Sequence, residues 1–268
     1  MKMNQTKHNP YYKAKIKDKS IVILSQILLL IAFIILWEVL SKYNIINGFL
    51  FSKPSNILEL LKKYFVDGTI YRHLGISILE TMLGLIIGTS VGLFIAIIIW
   101  WFPYAAKVLD PFLIILNALP KTALAPILII WAGTGIKGIT VVAMSISLVL
   151  TIITAYNYFQ MMEEDKIKML KSFKATKWQI LTKLILPSNI PNIVSIIKIN
   201  IGMTWVGVIV GEFLVSRAGI GYLIVYGSQV FRMDLVMMGV IVLAVIAFIM
   251  YEVVNLIEIS FKKKRGIK

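Results

Sequence analysis

Six apolar runs, at 21–40, 74–101, 108–131, 138–159, 190–215 and 235–257, dominate this sequence. A helix crosses a bilayer with about 20 predominantly apolar residues. In lipid only helices and closed barrels satisfy every backbone N–H and C=O. The runs therefore predict an all-α integral membrane chain with six transmembrane helices. Composition agrees: 59% of residues are hydrophobic and 15% charged, where soluble domains carry about 25% charged residues. No compact soluble core of 268 residues could bury that apolar excess, so it faces lipid.

The cations orient the chain. Of 28 Lys and Arg against 13 Asp and Glu, eighteen fall in segments assigned to one side. These are the basic tail 1–20, the turn near Lys107, the loop 160–189 and the basic tail 261–268. Eight fall on the other side, and Lys121 and Lys198 lie within spans. By the positive-inside rule both termini are expected in the cytoplasm. The run 21–40 is too long for a signal-peptide core and has no small-residue cleavage site after it, so it is expected to be a retained first span. An outer loop with an amphipathic segment would follow at 41–73, then a core of five spans over 74–260.

Several chemistries are disfavoured. The net charge of +15 sits at the edges of apolar runs, which argues for membrane orientation and against nucleic acid. There is no Cys, and the two His, His8 and His73, are placed away from the apolar spans, so neither a metal site nor a catalytic centre is expected. Gly133-Thr-Gly135-Ile-Lys-Gly138 matches a dinucleotide fingerprint in letters only, since no strand precedes it; it reads as an outer turn. No G-x-x-x-x-G-K-[ST] occurs, so the chain is expected to hold no ATP of its own, and any ATP-driven work would need a partner.

Within the spans, Gly84, Gly88 and Gly92, and then Gly207 and Gly211, form small-residue stripes suited to close helix contact. The third run carries Pro111, Pro120 and Pro126 with Asn117 and Lys121. Broken backbone at membrane depth must be buried in protein or line a water-filled cavity. That run reads either as the lining of a pathway or as a Pro-kinked structural helix. Lys198, Asn200 and Glu212 interrupt the fifth run. Intramembrane charge points to function, whereas the plainer reading has Lys198 snorkelling and Glu212 meeting solvent or Arg217. Asn117, Lys121, Ser145, Met203, Thr204 and Glu212 are the candidate pathway residues, with Lys121 either attracting an anion or snorkelling to an interface.

The stretch from Gln160 to Asn189 is too long for a simple connection. Ile167, Leu170 and Phe173 recur every three residues, as do Trp178, Leu181 and Leu184, among six Lys. This predicts two short amphipathic helices, with Pro187 and Pro191 stopping the second and re-aiming the chain into the fifth span. Such a segment could lie on anionic lipid or dock a cytoplasmic subunit.

Ser172-Phe-Lys-Ala175-Thr-Lys-Trp178-Gln179, followed by Leu184-Ile-Leu-Pro187 and Pro191, resembles the cytoplasmic "EAA" loop of permease subunits of bacterial binding-protein-dependent ABC importers. Leu119-Pro120-Lys-Thr-Ala123-Leu-Ala-Pro126, Trp131-Ala-Gly133, Trp205 to Glu212 and Ala218-Gly219-Ile-Gly221-Tyr222-Leu223 are similar to segments of the nitrate, alkanesulfonate and taurine permease group, whose relatives include thiamine-precursor permeases. The resemblance spans about residues 54–258. It implies a type I importer permease fold and a transport subunit rather than an enzyme. Its implied partners are a second permease copy, two cytoplasmic ATP-binding subunits that carry the ATP, and an extracellular substrate-binding protein. The implied coupling residues are Glu163, Lys168, Leu170, Ser172, Phe173, Lys174, Ala175, Thr176, Trp178, Leu184 and Pro187. Two departures stand out: Lys168-Met169-Leu170 replaces Glu-Ala-Ala, and Lys174 stands where the family has a turn-forming Gly. Either the turn is built differently or it tolerates strain. The rival class, a stand-alone secondary carrier or channel, would need coupling carboxylates inside the bundle and usually an internal repeat of spans; no convincing repeat is evident in the sequence.

Overall fold

In a computed structural model of the chain, residues 10–264 are described, with side chains described for 20–259. Most of the basic tails expected at 1–20 and 261–268, and with them His8, lie outside those bounds. The described residues form twelve helices and no strand. They are α1 (Pro10–Lys42), α2 (Gly48–Phe51), α3 (Pro54–Val66), α4 (Thr69–Trp101), α5 (Pro103–Ala118), α6 (Lys121–Ala132), α7 (Ile136–Gln160), α8 (Glu164–Ser172), α9 (Lys177–Ile180), α10 (Leu186–Val215), α11 (Ile220–Gln229) and α12 (Met233–Lys264). Among the described residues five helical stretches are long and apolar enough to cross a membrane, and α5 with α6, bent by 97°, have the length and composition of either a sixth, broken span or a re-entrant loop.

These spans are apolar on every side, so an apolar stripe cannot choose the packing face. Small and polar residues choose it instead. On α4 the buried positions include Ser77, Glu80, Thr81, Gly84, Gly88, Thr89 and Gly92, while Leu79, Ile86, Ile87, Val91 and Phe94 are exposed. Packing between apolar helices in lipid gains from close backbone approach and from hydrogen bonds between helices rather than from leaving water.

The glycine stripe seats α4 directly on α7. A Cβ on Gly88 would lie 2.0 Å from Ser147 Oγ, and one on Gly84 2.7 Å from Ala143 Cβ. A Cβ on Gly207 of α10 would lie 2.6 Å from Cα of the same Ala143, and one on Gly84 3.1 Å from Thr204 of α10. α4, α7 and α10 thus pack mutually around one seam. Asn200 ties the three together, donating to Thr89 Oγ1 at 2.9 Å and Thr151 Oγ1 at 2.7 Å.

Four expectations are corrected. First, the break in the third span falls at Leu119 and Pro120, between α5 and α6, whereas Pro111 and Pro126 are accommodated inside those helices. Second, Pro187 and Pro191 do not stop a helix. The chain is helical from Lys177 to Val215 because a π-helical segment at Leu181–Ile185 shifts the ladder, with the Leu186 N–H donating to Leu181 O. Pro187, second residue of α10, directly follows that segment, where the widened ladder accommodates a residue without an N–H. Third, Lys198 does not snorkel. It pairs with Glu258 and donates to Asn255 Oδ1 at 2.8 Å, its side chain only 16% exposed. Fourth, His73 is part of α4 and packs against Tyr222, ring centroids 6.0 Å apart.

Candidate functional site

The loop after α7 is a stiff, locally specified unit. α8 has Glu164 and Asp165 in its first turn and Lys171 in its last, matching the helix dipole at both ends. Glu163 pairs with Lys166 at 2.8 Å and Lys168 with Glu164 at 3.1 Å, both exposed. The helix ends with Lys174 left-handed at φ 54°. Ala175 N donates to Leu170 O at 3.0 Å and Lys174 N to Lys171 O at 2.9 Å, the paired bonds of a Schellman turn. The turn therefore keeps the glycine geometry with a lysine in it. Thr176 then caps α9 reciprocally with Gln179, Thr176 N donating to Gln179 Oε1 at 2.8 Å and Gln179 N to Thr176 Oγ1 at 3.3 Å.

Replacing Lys174 by Gly removes a left-handed cost of about 1 kcal/mol. The α8 amides of K174G are expected to exchange about five-fold more slowly than wild type in a bilayer. Unchanged exchange would show that the lysine turn carries no strain.

The loop has an inner and an outer face. Leu170, Ala175 and Leu184 pack against Ala96, Phe159, Leu181 and Ile185 at the end of the bundle. Phe173, 76% exposed, and Trp178, 63%, lie on the outer face, the Trp178 ring meeting Trp101 edge-on with centroids 6.3 Å apart. Ser172 donates to Met169 O at 2.7 Å. Lys177 donates to Trp101 O and lies over the Trp100 and Trp101 rings, which fastens the loop to the end of α4.

The candidate pathway residues are not gathered in one cavity. Asn117 and Lys121 meet at the break, Lys121 Nζ donating to Asn117 O at 2.6 Å. This places a cation on the carbonyl end of α5. Ser145 is half-buried on α7 and donates to Val142 O. Met203 is exposed while its neighbour Thr204 is fully buried, its hydroxyl without a partner.

Glu212 neither meets solvent nor pairs with Arg217; it is 1% exposed and organises the start of α11. Its carboxylate accepts from Ser77 Oγ and Gly221 N, both at 2.5 Å, and from Tyr222 N at 3.3 Å. Ile220 N donates to Ser77 Oγ at 2.8 Å and Gly219 N to His73 Nδ1 at 3.0 Å. Every orphan amide of that helix start is satisfied by side chains from α4 and α10. A Cβ on Gly219, where φ is 122°, would lie 2.3 Å from Glu212 Oε1, so glycine is what admits the carboxylate.

Spacing along the sequence does not reveal His73, Ser77 and Glu80, yet the polar stripe Ser77, Glu80, Thr81, Gly84 carries a helical period. Glu80 abuts Glu212 and lines a cavity of about 460 Å³ with Thr134, Gly135, Ser216, Arg217 and Ala218. This cavity lies at the end of α7 and α10 remote from the α8–α9 loop.

The fold is that of type I ABC importer permeases. A chain of a bacterial ABC transporter involved in the import of the acidic polysaccharide alginate superposes with a TM-score of 0.63 at 15% identity, covering 90% of this chain and 97% of that one. A chain of the MetNI methionine ABC transporter gives 0.58 at 17%, covering 78% and 99%. At that identity the likeness is one of fold. Among sequence relatives, a protein named as an aliphatic sulfonates transport permease, SsuC of Bacillus subtilis, is 29% identical over 89% of this chain and 87% of its own. The taurine transport system permease protein TauC of Escherichia coli is 24% identical over 80% of each. Residues 88–263 match the model of the binding-protein-dependent transport system inner membrane component, and the chain belongs to that family. It is a multi-pass membrane permease subunit of an ABC importer.

Proposed function

We propose that two copies of this chain pair to form the translocation pathway of an importer, each copy docking one cytoplasmic ATP-binding subunit on the Glu163–Pro187 loop. ATP would sit on those partners, and an extracellular binding protein would deliver the solute. Both termini would be cytoplasmic, as the charge asymmetry favours. The solute would be a small organic or inorganic anion or a thiamine precursor: names of relatives support a sulfonate or taurine and a formylaminopyrimidine, and nitrate rests on the motif resemblance alone. Asn117, Lys121, Ser145, Met203 and Thr204 would line the route, with Glu212 holding its far end.

The observation that carries this reading is the loop's exposed aromatic outer face. Phe173 and Trp178 are exposed on a frame of capped turns, and α9 continues into a spanning helix. Closure of the ATPases would move the loop and tilt that helix, biasing a two-state pathway.

The test is co-purification from membranes with candidate ATPases, comparing wild type with a variant lacking residues 163–186. An ATPase retained by wild type alone supports the loop as the coupling element. Retention by both, or by neither while the chain is folded, would reject it and favour a stand-alone carrier or channel.

A further inference from the structure

The two halves of α12 are fastened to the bundle in different ways. Near its start, Leu235, Met238 and Val242 are buried in one cluster with Ile70, Ile220 and Leu223, and a Cβ on Gly239 would lie 2.6 Å from Ile224 Cγ1. Toward its end the helix is largely uncovered, with Phe248, Ile249, Val253, Leu256 and Ile257 exposed. Ile246, Met250 and Val254 pack there against the cluster of Leu85, Ile201 and Trp205. Apolar side chains gain little by exchanging lipid for protein, so such contacts alone let two helices slide.

A polar stripe on the same stretch does more. Tyr251, Asn255 and Glu258 follow one another at four and three residues and so share a helix face. All three meet one side chain of α10, that of Lys198. Its ammonium pairs with Glu258, donates to Asn255 Oδ1 at 2.8 Å and lies 5.5 Å from the centroid of the Tyr251 ring. Asn255 is itself oriented, because its Nδ2 donates to Glu252 Oε2 at 3.3 Å, which leaves Oδ1 for the lysine. The Lys198 and Glu258 side chains are largely buried. Ile196, two residues before Lys198, belongs to the apolar cluster beneath the α8–α9 loop, so this cage lies at the loop's end of the bundle. Drawing the pair apart there strands a charge out of water, which a sliding apolar contact does not.

We propose that Lys198 is a positioning residue for transport: its cage on α12 makes the last stretch of that helix follow α10 when the ATP-binding subunits displace the α8–α9 loop. α10 is already tied to α4 and α7 through Asn200, and the cage adds the free half of α12 to that moving body. Without it, α12 stays with its outer packing while α10 moves. The inference rests on the paired-importer reading and deepens it by naming how loop displacement reaches a helix that the loop does not adjoin in the chain.

The chain has no cysteine of its own, so a single spin label per copy reports the distance between copies. Labels are placed at I199C on α10 and, in a separate preparation, at L256C on α12, both exposed positions. The full chain is held in lipid nanodiscs with its co-purified ATPase and measured with and without ATP and vanadate. With Lys198 and Glu258 in place, ATP is expected to shift both distances by about 2 Å, the scale of helix shifts at interfaces. K198M/E258M replaces the pair by apolar side chains, a change that buried ion pairs commonly tolerate without loss of stability; the shift at 199 persists and that at 256 disappears. K198E/E258K, which rebuilds an ion pair in reverse, restores the shift at 256, and N255A, which removes one ligand of the cage, reduces it. Size-exclusion profiles and unfolding midpoints matching wild type confirm that each variant is folded. A 256 shift that persists in K198M/E258M, loss of both shifts together, or no shift at 256 in wild type overturns the proposal while a retained ATPase leaves the importer reading standing. No retained ATPase, or no dipolar coupling between copies, rejects the paired importer and this inference with it.

Discussion

Glu212→Ala is expected to lower the stability of the folded chain by about 3 kcal/mol, since each buried donor left without an acceptor costs about 1–3 kcal/mol and water from the neighbouring cavity offsets part. Ser77 Oγ, Gly221 N and Tyr222 N all lose their acceptor. The damage would begin at the start of α11, so amide exchange should rise there before it rises in α7. Glu212→Gln, which keeps one acceptor oxygen, should cost about 1 kcal/mol. The check is a thermal unfolding midpoint together with site-resolved exchange in nanodiscs. An unchanged midpoint for the alanine variant would mean the cap contributes nothing to holding α11.

Gly88→Ala should be comparably damaging, for a different reason. The new methyl would lie 2.0 Å from Ser147 Oγ and 2.9 Å from Met144 O. The hydroxyl can rotate away, but the carbonyl belongs to α7's backbone, so α4 must back off along the seam. Overpacking of this kind costs about 1–3 kcal/mol, and Gly88→Leu should prevent accumulation of folded protein. Gly75 and Gly202 supply the control, because a Cβ at either meets nothing within 4 Å. Alanine at those two helical positions should be neutral or stabilising by up to about 1 kcal/mol. If Gly88 and Gly202 respond alike to alanine, the seam is not a close-packed contact.

Much of this architecture is legible in the residues, because a bilayer converts apolar length directly into spans. The glycine stripes and the amphipathic loop are legible for the same local reason: their periods are short. The Thr176-to-Gln179 capping box is written there too, as T-x-x-Q, although amphipathic spacing alone passes over it. The resemblance of the loop identifies the left-handed position at Lys174, but only backbone geometry decides between a new turn and a strained one.

What stays hidden depends on distance along the chain. Ser77 and Glu212 are 135 positions apart, and no periodicity within either run announces the other. His73 sits just outside an apolar run and looks like loop until α4 is seen to begin at Thr69. Lys198 looks like a snorkelling cation because its partner Glu258 lies beyond the last apolar run. Pro187 and Pro191 mislead because a π-helical turn is a cooperative property of its neighbours rather than a preference of proline.

The continuous helix from Lys177 to Val215 has a mechanical consequence. At 1.5 Å per residue its 39 residues make a rod of about 58 Å. Pivoted at mid-length, such a rod converts a rotation of 5° into an opposed excursion of about 2.5 Å at each tip. One tip carries Trp178; near the other, Glu212 grips the first amides of α11. A displacement of that size equals a hydrogen-bond length, so a nudge at one face of the membrane is enough to test every bond of the cap on the other.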